Sequence, residues 1–560
     1  MKIKSGLIGK MAGRMNTRLA LTVAVLATSA LAAAGCSGSQ APSGQAGEKE
    51  GTAAPEKRGS ISMSIYDRGN VPAEEGTIDN NRWTQYLTEK GPANIKYVPI
   101  PRFESLQKFN VLFASGSAPD LILEFDRSYL GQLYTQKQLM PLDDLIAKSS
   151  TEYKKRLEQY PAIKKATSMP DGKMYFLARP YNNDPQQFLY VRADWLKKLN
   201  LPVPTTAEEM LAVGKAFTEQ DPDGNGKKDT QGIGLSFVSG IVLNFMFGNG
   251  FTLNGTGQNP WVLNNGKVVH DWDRLKAALS YQKRIYDAGY TDKDFVSDKN
   301  GQKLFQDWIN GKVGIRGGTI GGTDVKAYET LKKNVPDAEV IVIPLPKTEF
   351  GQFSPMLNTP IQITGGINAA AKDPVAVMKT IDFMSTEAFE TMIANGTEGV
   401  HYNKAANGCP EQIDYDKFRK EVSYALDMNM LANFAPDNCS GLDKKLNPTP
   451  AEKDMGEILK KAREIYVNPQ TPMPGITVKE FLPVLPQDLE QINSNANKTI
   501  LDLANKMIVS GSAYTADQFI QESKAVWEKA GGAKVDEFID KWYQENKDKA
   551  ILMKDLYEQK

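Results

Sequence analysis

The 560-residue chain is poor in the residue types that build metal centres and nucleophilic triads. It has 3 cysteines and 2 histidines, and His270 and His401 are too few for a histidine-based metal site or an evident triad. Nucleophile-elbow, phosphate-loop and HExxH motifs are also missing. We therefore expect no enzyme. One enzyme class stays open, because the carboxylate pair of a glycosidase has no fixed spacing in sequence.

The chain also has no excess of positive or of negative side chains. The chain has 67 Lys and Arg residues against 67 Asp and Glu residues. Residues 1–35 carry five positive charges and no negative ones, so without them the balance is 62 against 67. A mildly acidic body argues against nucleic acid as a partner.

Long apolar runs are confined to the N-terminus. A positive segment precedes the charge-free stretch Leu19–Ala34, which is too short for a membrane span of about 20 residues. Small residues then lead to Cys36, the pattern of a lipoprotein signal peptide. We expect residues 1–35 to be removed and Cys36 to be lipidated; the alternative is ordinary cleavage with Cys36 uninvolved.

The remaining chain divides into a tether and a body. Residues 36–58 contain no large apolar side chain after Cys36, so they cannot offset the entropy of ordering and should form a flexible tether. Residues 59–560 are too many for one simple core, which predicts two lobes or more. Cys409 and Cys439 either form a disulfide or are two buried free thiols, and the sequence does not distinguish these alternatives.

The body begins with the alternation of strands and helices that is typical of an α/β sheet. Residues 60–66 and 94–100 are predicted strands, with a helix around Trp83–Leu87 between them. A helix over 103–114 then precedes the short apolar strand 121–123. Further along, 312–315 and 340–343 are predicted strands, and the middle and the end of the chain are rich in helices. Thr205–Glu208 has capping-box spacing, Asp373-Pro374 predicts the start of a helix, and two last helices are expected from Thr515 and from Val535. Trp308 is expected in the core.

Several segments, in order along residues 60–545, resemble the family 1 extracellular solute-binding proteins. The likeness is greatest to their large, helix-rich, oligosaccharide-binding members, including alginate-binding and rhamnogalacturonan-type lipoproteins. These segments are Ala114–Ile122, Asp171–Tyr175, Tyr190–Leu199, Asp221–Asp229, Trp308–Gly314 and Glu398–Tyr402.

The resemblance implies a periplasmic-binding-protein-like fold of type II. Two sequence-discontinuous α/β lobes would be joined by hinge strands, with the ligand in the cleft between them. Helices from about residue 370 onward would pack around both lobes. It also implies a protein held at the extracellular face of the cell membrane only by its lipid, which passes an oligosaccharide to ABC-transporter permease subunits. We expect it to act as a monomer.

One loop has the oxygen spacing of a calcium site. Its ligands would be Asp221, Asp223, Asn225, the carbonyl of Lys227, and Asp229, with Gly226 at the turn. Position 12 is Gly232 where an EF-hand has glutamate, so the loop resembles instead the one-sided calcium loop of the alginate-binding relatives. We expect a structural Ca²⁺; the alternative is a turn without metal.

For the ligand, we consider the loops that follow strands, because open α/β sheets place their sites there. Carboxylates and amides bind vicinal hydroxyls, and aromatic faces cover the C–H face of a sugar. For Trp272 and Tyr402, core packing and ligand contact are about equally expected. The candidate ligand residues are Asp67, Arg68, Glu124, Asp126, Asn182, Asn183, Trp272, Thr319 and Tyr402.

Two alternatives to import remain from the sequence. A surface adhesin or sensor could bind glycan without a transporter, and a secreted glycoside hydrolase could cleave it. Uptake of ligand separates the first from an importer component, and turnover of ligand separates the second. Oligopeptide binding is a weaker alternative that keeps the transport function.

Overall fold

Two open sheets organise the structure, a computed structural model that describes residues 58–558 except 183, 186, 237–238, 252–259, 299–300, 320–321, 434–447 and 549. The predicted signal peptide, most of the predicted tether, Cys36, Asn183 and Cys439 lie outside these residues. The strands are β1 Gly59–Asp67, β2 Ala93–Pro101, β3 Leu121–Leu123, β4 Leu177–Pro180, β5 Phe188–Arg192, β6 Gln231–Gly234, β7 Trp261–Asn264, β8 Lys267–His270, β9 Val313–Gly318, β10 Val340–Val342, β11 Ile361–Ile367, β12 Tyr402–Lys404 and β13 Pro410–Gln412.

Helices cover and connect these sheets. They are α1 Arg82–Lys90, α2 Ser105–Ala114, α3 Arg127–Thr135, α4 Asp143–Ser149, α5 Glu152–Gln159, α6 Pro161–Thr167, α7 Ala193–Lys198, α8 Ala207–Glu219, α9 Gly240–Met246, α10 Trp272–Asp287, α11 Gln302–Ile309, α12 Gly322–Asn334, α13 Pro374–Met384, α14 Glu387–Asn395, α15 Tyr415–Glu421, α16 Pro450–Tyr466, α17 Gln487–Val509, α18 Ala516–Ala530, α19 Gly532–Asn546 and α20 Asp555–Glu558. A 3₁₀ segment, Ser423–Asn429, packs against β1 and α14. Within the described part, none of the helices combines the length and apolar character needed to cross a bilayer.

The first sheet has the order β2-β1-β3-β11-β4. β1 pairs in parallel with β2 and β3, whereas β11 runs antiparallel to both β3 and β4. The carboxyl ends of β1, β2, β3 and β4 therefore share one edge with the start of β11. Gly365 lies at an irregularity in β11, where a Cβ atom would be 2.0 Å from the carbonyl oxygen of Ile122. Only glycine permits this approach, which its φ of +152° also favours.

The second sheet has the order β10-β5-β9-β6. β6 is parallel to β9, and β5 is antiparallel to its neighbours β9 and β10. Its core includes Trp195, which meets Phe217 edge-on at 5.2 Å between ring centroids. Trp308 is 2% exposed, which confirms its expected place in the core. The two sheets are the centres of the two predicted lobes.

Local signals in the sequence set most helix boundaries, with two shifts. Asp373 caps α13 through the backbone N–H of Ala376, and Pro374 is its first residue, as predicted. The capping box of α8 is Thr206 with Glu209, one residue later than the Thr205–Glu208 spacing suggested. α19 begins at Gly532 rather than Val535, because Gly531 in the left-handed conformation ends α18 and turns the chain at once.

The C-terminal helices pack on both lobes. α17 contacts α3 beside the first sheet and α10 beside the second, and α18 and α19 pack against it. α16 packs against β10 and α12 of the second lobe, whereas α13 covers β1 and β2 of the first. This arrangement matches the expectation that residues after about 370 surround both lobes.

Candidate functional site

The chain crosses between the lobes at a paired hinge. Residues 181–187 lead from the end of β4 to the start of β5, and residues 343–360 lead from the end of β10 to the start of β11. The two crossings are bonded together: the Tyr181 N–H donates to the carbonyl of Pro360 (2.8 Å), and the Asn358 N–H donates to that of Asp184 (2.9 Å). Seven residues are a short link, so the carboxyl edges of the two sheets lie on the side where the lobes meet.

Polar side chains predicted from the sequence gather on the first sheet's carboxyl edge. Asp67 and Arg68 follow β1, Glu124 and Asp126 follow β3, and Asn182 follows β4. Asn182 accepts a hydrogen bond from the side-chain amide of Asn358 at 3.0 Å. The structure thus brings five of the nine candidate ligand residues to one edge.

An ion pair that the sequence did not indicate holds Arg68. Its Nε and Nη2 donate to the two carboxylate oxygens of Asp427 at 2.7 and 2.9 Å. Asp427 lies in the 3₁₀ segment, 359 residues further along the chain, and is buried. Because this separation leaves no local pattern, only the tertiary structure reveals the pair.

Arginine and aromatic side chains form a layer over the same edge. The Arg102 guanidinium carbon is 4.7 Å from the ring centroid of Tyr66, and that of Arg179 is 5.7 Å from Phe125 and 5.6 Å from Tyr181. Burial lowers the pKa of Arg179 to about 10. Tyr66 and Arg179 are buried, so Arg102, Phe125 and Tyr181 are the members of this layer that a ligand can reach.

Glu124 is a buried neighbour of this layer. It is 1% exposed, and its Oε1 accepts the backbone N–H of Asp126 at 2.8 Å. Burial first, and then the charge of Glu124, raise the pKa of both the Tyr66 and the Tyr129 phenols. A buried carboxylate among phenols orders the edge rather than presenting a free oxygen to solvent.

The second sheet presents Thr319 at the carboxyl end of β9. Its hydroxyl donates to Asp324, and its carbonyl accepts the Tyr190 hydroxyl at 2.6 Å. Asp324 also pairs with Arg316 at 2.8 Å, and the Arg316 guanidinium lies 4.7 Å from the Trp308 ring. Thr319 is thus held by a buried network at the end of its strand.

Two aromatic candidates are built into other parts of the molecule. Trp272 stacks on His270 with 3.9 Å between ring centroids, and His270 also meets Trp527 at 4.8 Å. This cluster joins β8, α10 and α18. Tyr402 is 5% exposed and belongs to the β12–β13 hairpin. Neither side chain follows a strand of the two sheets.

The carboxylates of the predicted calcium loop accept hydrogen bonds from the backbone of the loop and from the Asn225 side chain. Asp221 accepts the backbone N–H groups of Asn225 and Gly226, both at 3.0 Å. The Asn225 amide nitrogen donates to Asp223 at 2.7 Å and to Asp229 at 3.1 Å. Burial and the neighbouring Asp221 carboxyl raise the pKa of Asp223, as expected where acidic groups crowd together.

The donor set of this loop suits a hard cation, but its arrangement is not a closed cage. The Lys312 ammonium forms an ion pair with one carboxylate oxygen of Asp229 at 3.0 Å. Among the described residues, no group of three or more His, Cys, Asp or Glu side chains is placed as a metal cluster. Binding of Ca²⁺ would require the Asn225 amide to turn its oxygen inward.

Cys409 is disulfide-bonded, so it is not one of two buried free thiols. It lies beside the β12–β13 hairpin, just before Pro410, and is 7% exposed. The chain's other two cysteines, Cys36 and Cys439, lie outside the described residues.

Comparison with known proteins places these features in a family. The family described as bacterial extracellular solute-binding protein matches residues 77–390. The Bacillus subtilis polygalacturonan/rhamnogalacturonan-binding protein YtcQ is 27% identical over 409 residues, 69% of this chain and 74% of YtcQ. Lipoprotein LipO of the same organism is 26% identical over 410 residues, again 69% and 74%. The fructooligosaccharide ABC transporter substrate-binding protein FusA of Streptococcus pneumoniae is 30% identical over 210 residues, 35% of this chain and 38% of FusA.

Solved structures share the whole fold. The alginate-binding protein AlgQ2 without calcium ion superimposes with a TM-score of 0.66 and 20% identity, over 89% of this chain and 100% of AlgQ2. A FusA EF-hand mutant in complex with fructo-nystose gives a TM-score of 0.64 and 19% identity, over 87% and 99%. These likenesses confirm the predicted two-lobe fold class.

Proposed function

This chain belongs to the bacterial extracellular solute-binding proteins, and on that premise we propose that it captures an oligosaccharide between its lobes and delivers it to an ABC import permease. The observation that carries the proposal is the pair of sheet edges joined by two chain crossings that are hydrogen-bonded to each other. The first edge combines Asp67, Arg68, Asp126 and Asn182 with a layer of aromatic rings. Hydroxyl-binding groups beside ring faces are the chemistry that recognises a sugar.

The sequence relatives support carbohydrate rather than another solute. YtcQ is described as binding polygalacturonan and rhamnogalacturonan, and FusA as serving fructooligosaccharide transport. The ligands of both relatives are oligomers or polymers of sugars. An extended ligand also suits an edge whose candidate contacts run from the end of β1 to the end of β4.

The mechanism follows from the hinge. Binding of a sugar to both edges favours a closed arrangement over an open one, because only the closed arrangement lets both lobes contact it. We propose no chemical step, since the carboxylates near the edge are engaged in structural hydrogen bonds. The protein would release the sugar unchanged to the permease.

Small-angle X-ray scattering and product analysis together test this mechanism. A panel of plant and algal oligosaccharides is first screened by thermal shift. With a sugar that binds, the radius of gyration should fall and long incubation should leave the sugar intact. Turnover of the sugar would support the hydrolase alternative. Binding without effect on uptake, in cells lacking the gene and complemented with it, would support an adhesin or sensor.

We propose further that the protein is lipid-anchored at Cys36 on the extracellular face of the membrane. Residues 1–35 would be the signal peptide and residues 36–58 the tether, with a reach of roughly 25 Å. The likeness to lipoprotein LipO supports this proposal. The protein would work as a monomer, holding its lobes beside the permease while remaining in water.

The loop 221–229 is proposed to hold a structural Ca²⁺ through Asp221, Asp223, Asn225, the Lys227 carbonyl and Asp229. Three carboxylates in nine residues repel one another, and a cation would remove that repulsion. Two structural neighbours support this proposal: AlgQ2, whose structure is of the form without calcium ion, and FusA, whose structure is of an EF-hand mutant. The loop connects α8 to β6, away from the hinge, so its expected role is stability rather than sugar contact.

A further inference from the structure

Arg102 differs from the other charged side chains at the first sheet's carboxyl edge. It follows β2 directly and is partly exposed. Its guanidinium lies over Tyr66 at 4.7 Å and near Phe125 at 6.0 Å. Among the described residues, no carboxylate lies within ion-pair distance of Arg102, and no hydrogen bond from its side chain is found.

The acidic side chains of the same edge are already engaged. Asp427 is held by Arg68 through two hydrogen bonds. The others each accept a backbone N–H: Asp67 from Gly69 (2.9 Å), Glu124 from Asp126 (2.8 Å) and Asp126 from Tyr129 (2.8 Å). The edge therefore leaves one guanidinium, that of Arg102, whose donor fork has ring faces but no acceptor as its neighbours among the described residues.

Contact with rings satisfies the charge of a guanidinium but not its N–H donors. The five donors of arginine lie in its plane and form a fork that matches the two oxygens of a carboxylate. Such bidentate pairs are stronger and more directional than hydrogen bonds to a neutral hydroxyl. A sugar lying against the partly exposed Phe125 ring would bring its substituents within reach of this fork.

We propose that Arg102 selects for a carboxylate on the sugar, so that the ligand is an acidic, uronic-acid-containing oligosaccharide. This inference rests on the proposed sugar-binding function and narrows it. The sequence relatives do not decide the matter, because YtcQ is described with polygalacturonan and FusA with fructooligosaccharide. The donors at this edge favour a carboxylate: the partly exposed Arg102 fork has no hydrogen-bond acceptor among the described residues, whereas Arg68 is held by Asp427.

Isothermal titration calorimetry with trigalacturonate and its fully methyl-esterified form tests the inference. The two ligands differ only in the carboxylates. The wild-type protein should bind the acid at least about 10-fold more tightly than the ester. Arg102→Gln should weaken acid binding by about 10- to 100-fold and leave the ester unchanged, and Arg102→Lys should restore part of the loss.

Lys96→Gln is the matched control, because Lys96 is an exposed cation on the same strand, inside β2 rather than at its end. It should leave both affinities unchanged, and melting curves check that all variants fold. Equal binding of acid and ester, or unchanged discrimination in Arg102→Gln, would overturn the role of Arg102 while sugar binding stands. Binding only to neutral members of the oligosaccharide panel would overturn the acidic class alone. Absence of binding to every sugar would contradict the proposed function itself.

Discussion

The ammonium of Lys326 lies 5.1 Å from the ring centroid of Tyr415. Lys326 belongs to α12, which follows β9 of the second lobe, and Tyr415 opens α15, which packs on the 3₁₀ segment of the first lobe. α15 is fastened to that lobe because the Trp83 indole N–H donates to the Glu421 carbonyl at 2.7 Å. This cation–π contact therefore joins the two lobes directly.

Removing this contact should favour the open arrangement. An exposed cation–π contact stabilises by about 0.5–1 kcal/mol, which corresponds to a roughly 2- to 5-fold change in equilibrium. Tyr415→Ala should thus weaken sugar affinity by about that factor and enlarge the sugar-free radius of gyration. Tyr415→Phe keeps the ring and should behave as wild type. Unchanged affinity in Tyr415→Ala would show that the contact does not bias closure.

Glu490 should make stability depend on pH. Burial, with the charge of Asp126 as the second cause, raises the pKa of Glu490 from 4.5 to about 7. Between these values the folded protein keeps a proton that the unfolded chain has lost. The contribution of this group to stability therefore falls as pH rises from about 4.5 to 7.

Glu490→Gln removes the cost of the charged form. The full shift would be worth about 3 kcal/mol, which partial exposure reduces to roughly 1–2 kcal/mol. Urea unfolding should show the variant more stable than wild type at pH 8 by this amount, with little difference at pH 4.5. Asp488→Asn, an exposed change in the same helical turn, is the control and should show no such gain. Equal stability at pH 8 would contradict the prediction.

Calcium removal should lower the melting temperature without abolishing sugar binding. An ion at 100 times its dissociation constant stabilises the fold by about 2.7 kcal/mol, which for a body of this size is about 2–3 °C. A chelator should produce this shift in wild type, whereas Asp223→Ala should start lower and respond no further. Asp548→Ala, an exposed change near the C-terminus, should respond as wild type does.

The outcomes distinguish three states of the loop. A melting curve that a chelator leaves unmoved would favour the turn without metal. Loss of sugar binding with an intact fold would place the ion in the ligand site. A shift in melting with unchanged affinity at low temperature supports the structural role.

Lipidation predicts where the protein is found in the cell. Cys36→Ser should move it from the membrane fraction to the medium, because the acyl chain is the only proposed anchor. Sugar affinity measured by calorimetry should not change, since residues 36–58 are a tether. Ser37→Ala keeps the cysteine and should stay with the membrane. Membrane retention of the Cys36→Ser protein would contradict lipidation.

Much of the fold was predictable because its signals are local. The alternation of strands and helices over residues 60–123 predicted the first half of the first sheet, and the Asp373-Pro374 pair predicted the start of α13. The rule that sites follow strands also placed Asp67, Glu124 and Asn182 at one edge. Helix starts shifted where two residues compete for the same role, as Thr205 and Thr206 do at α8, and where a left-handed glycine turns the chain, as Gly531 does before α19.

By itself, the sequence determined the order of elements, their apolar faces and the residue types at strand ends, because these depend on neighbours a few positions away. Tertiary structure alone decided which charges were neutralised. Asp427 reaches Arg68 across 359 positions, whereas Arg102 receives no acid, and neither fact has a trace in local pattern. The same holds for the cluster of His270 and Trp272, which Trp527 completes from α18. Partners in a fold of this size are set by packing between remote segments, and the selectivity of the site depends on those partners.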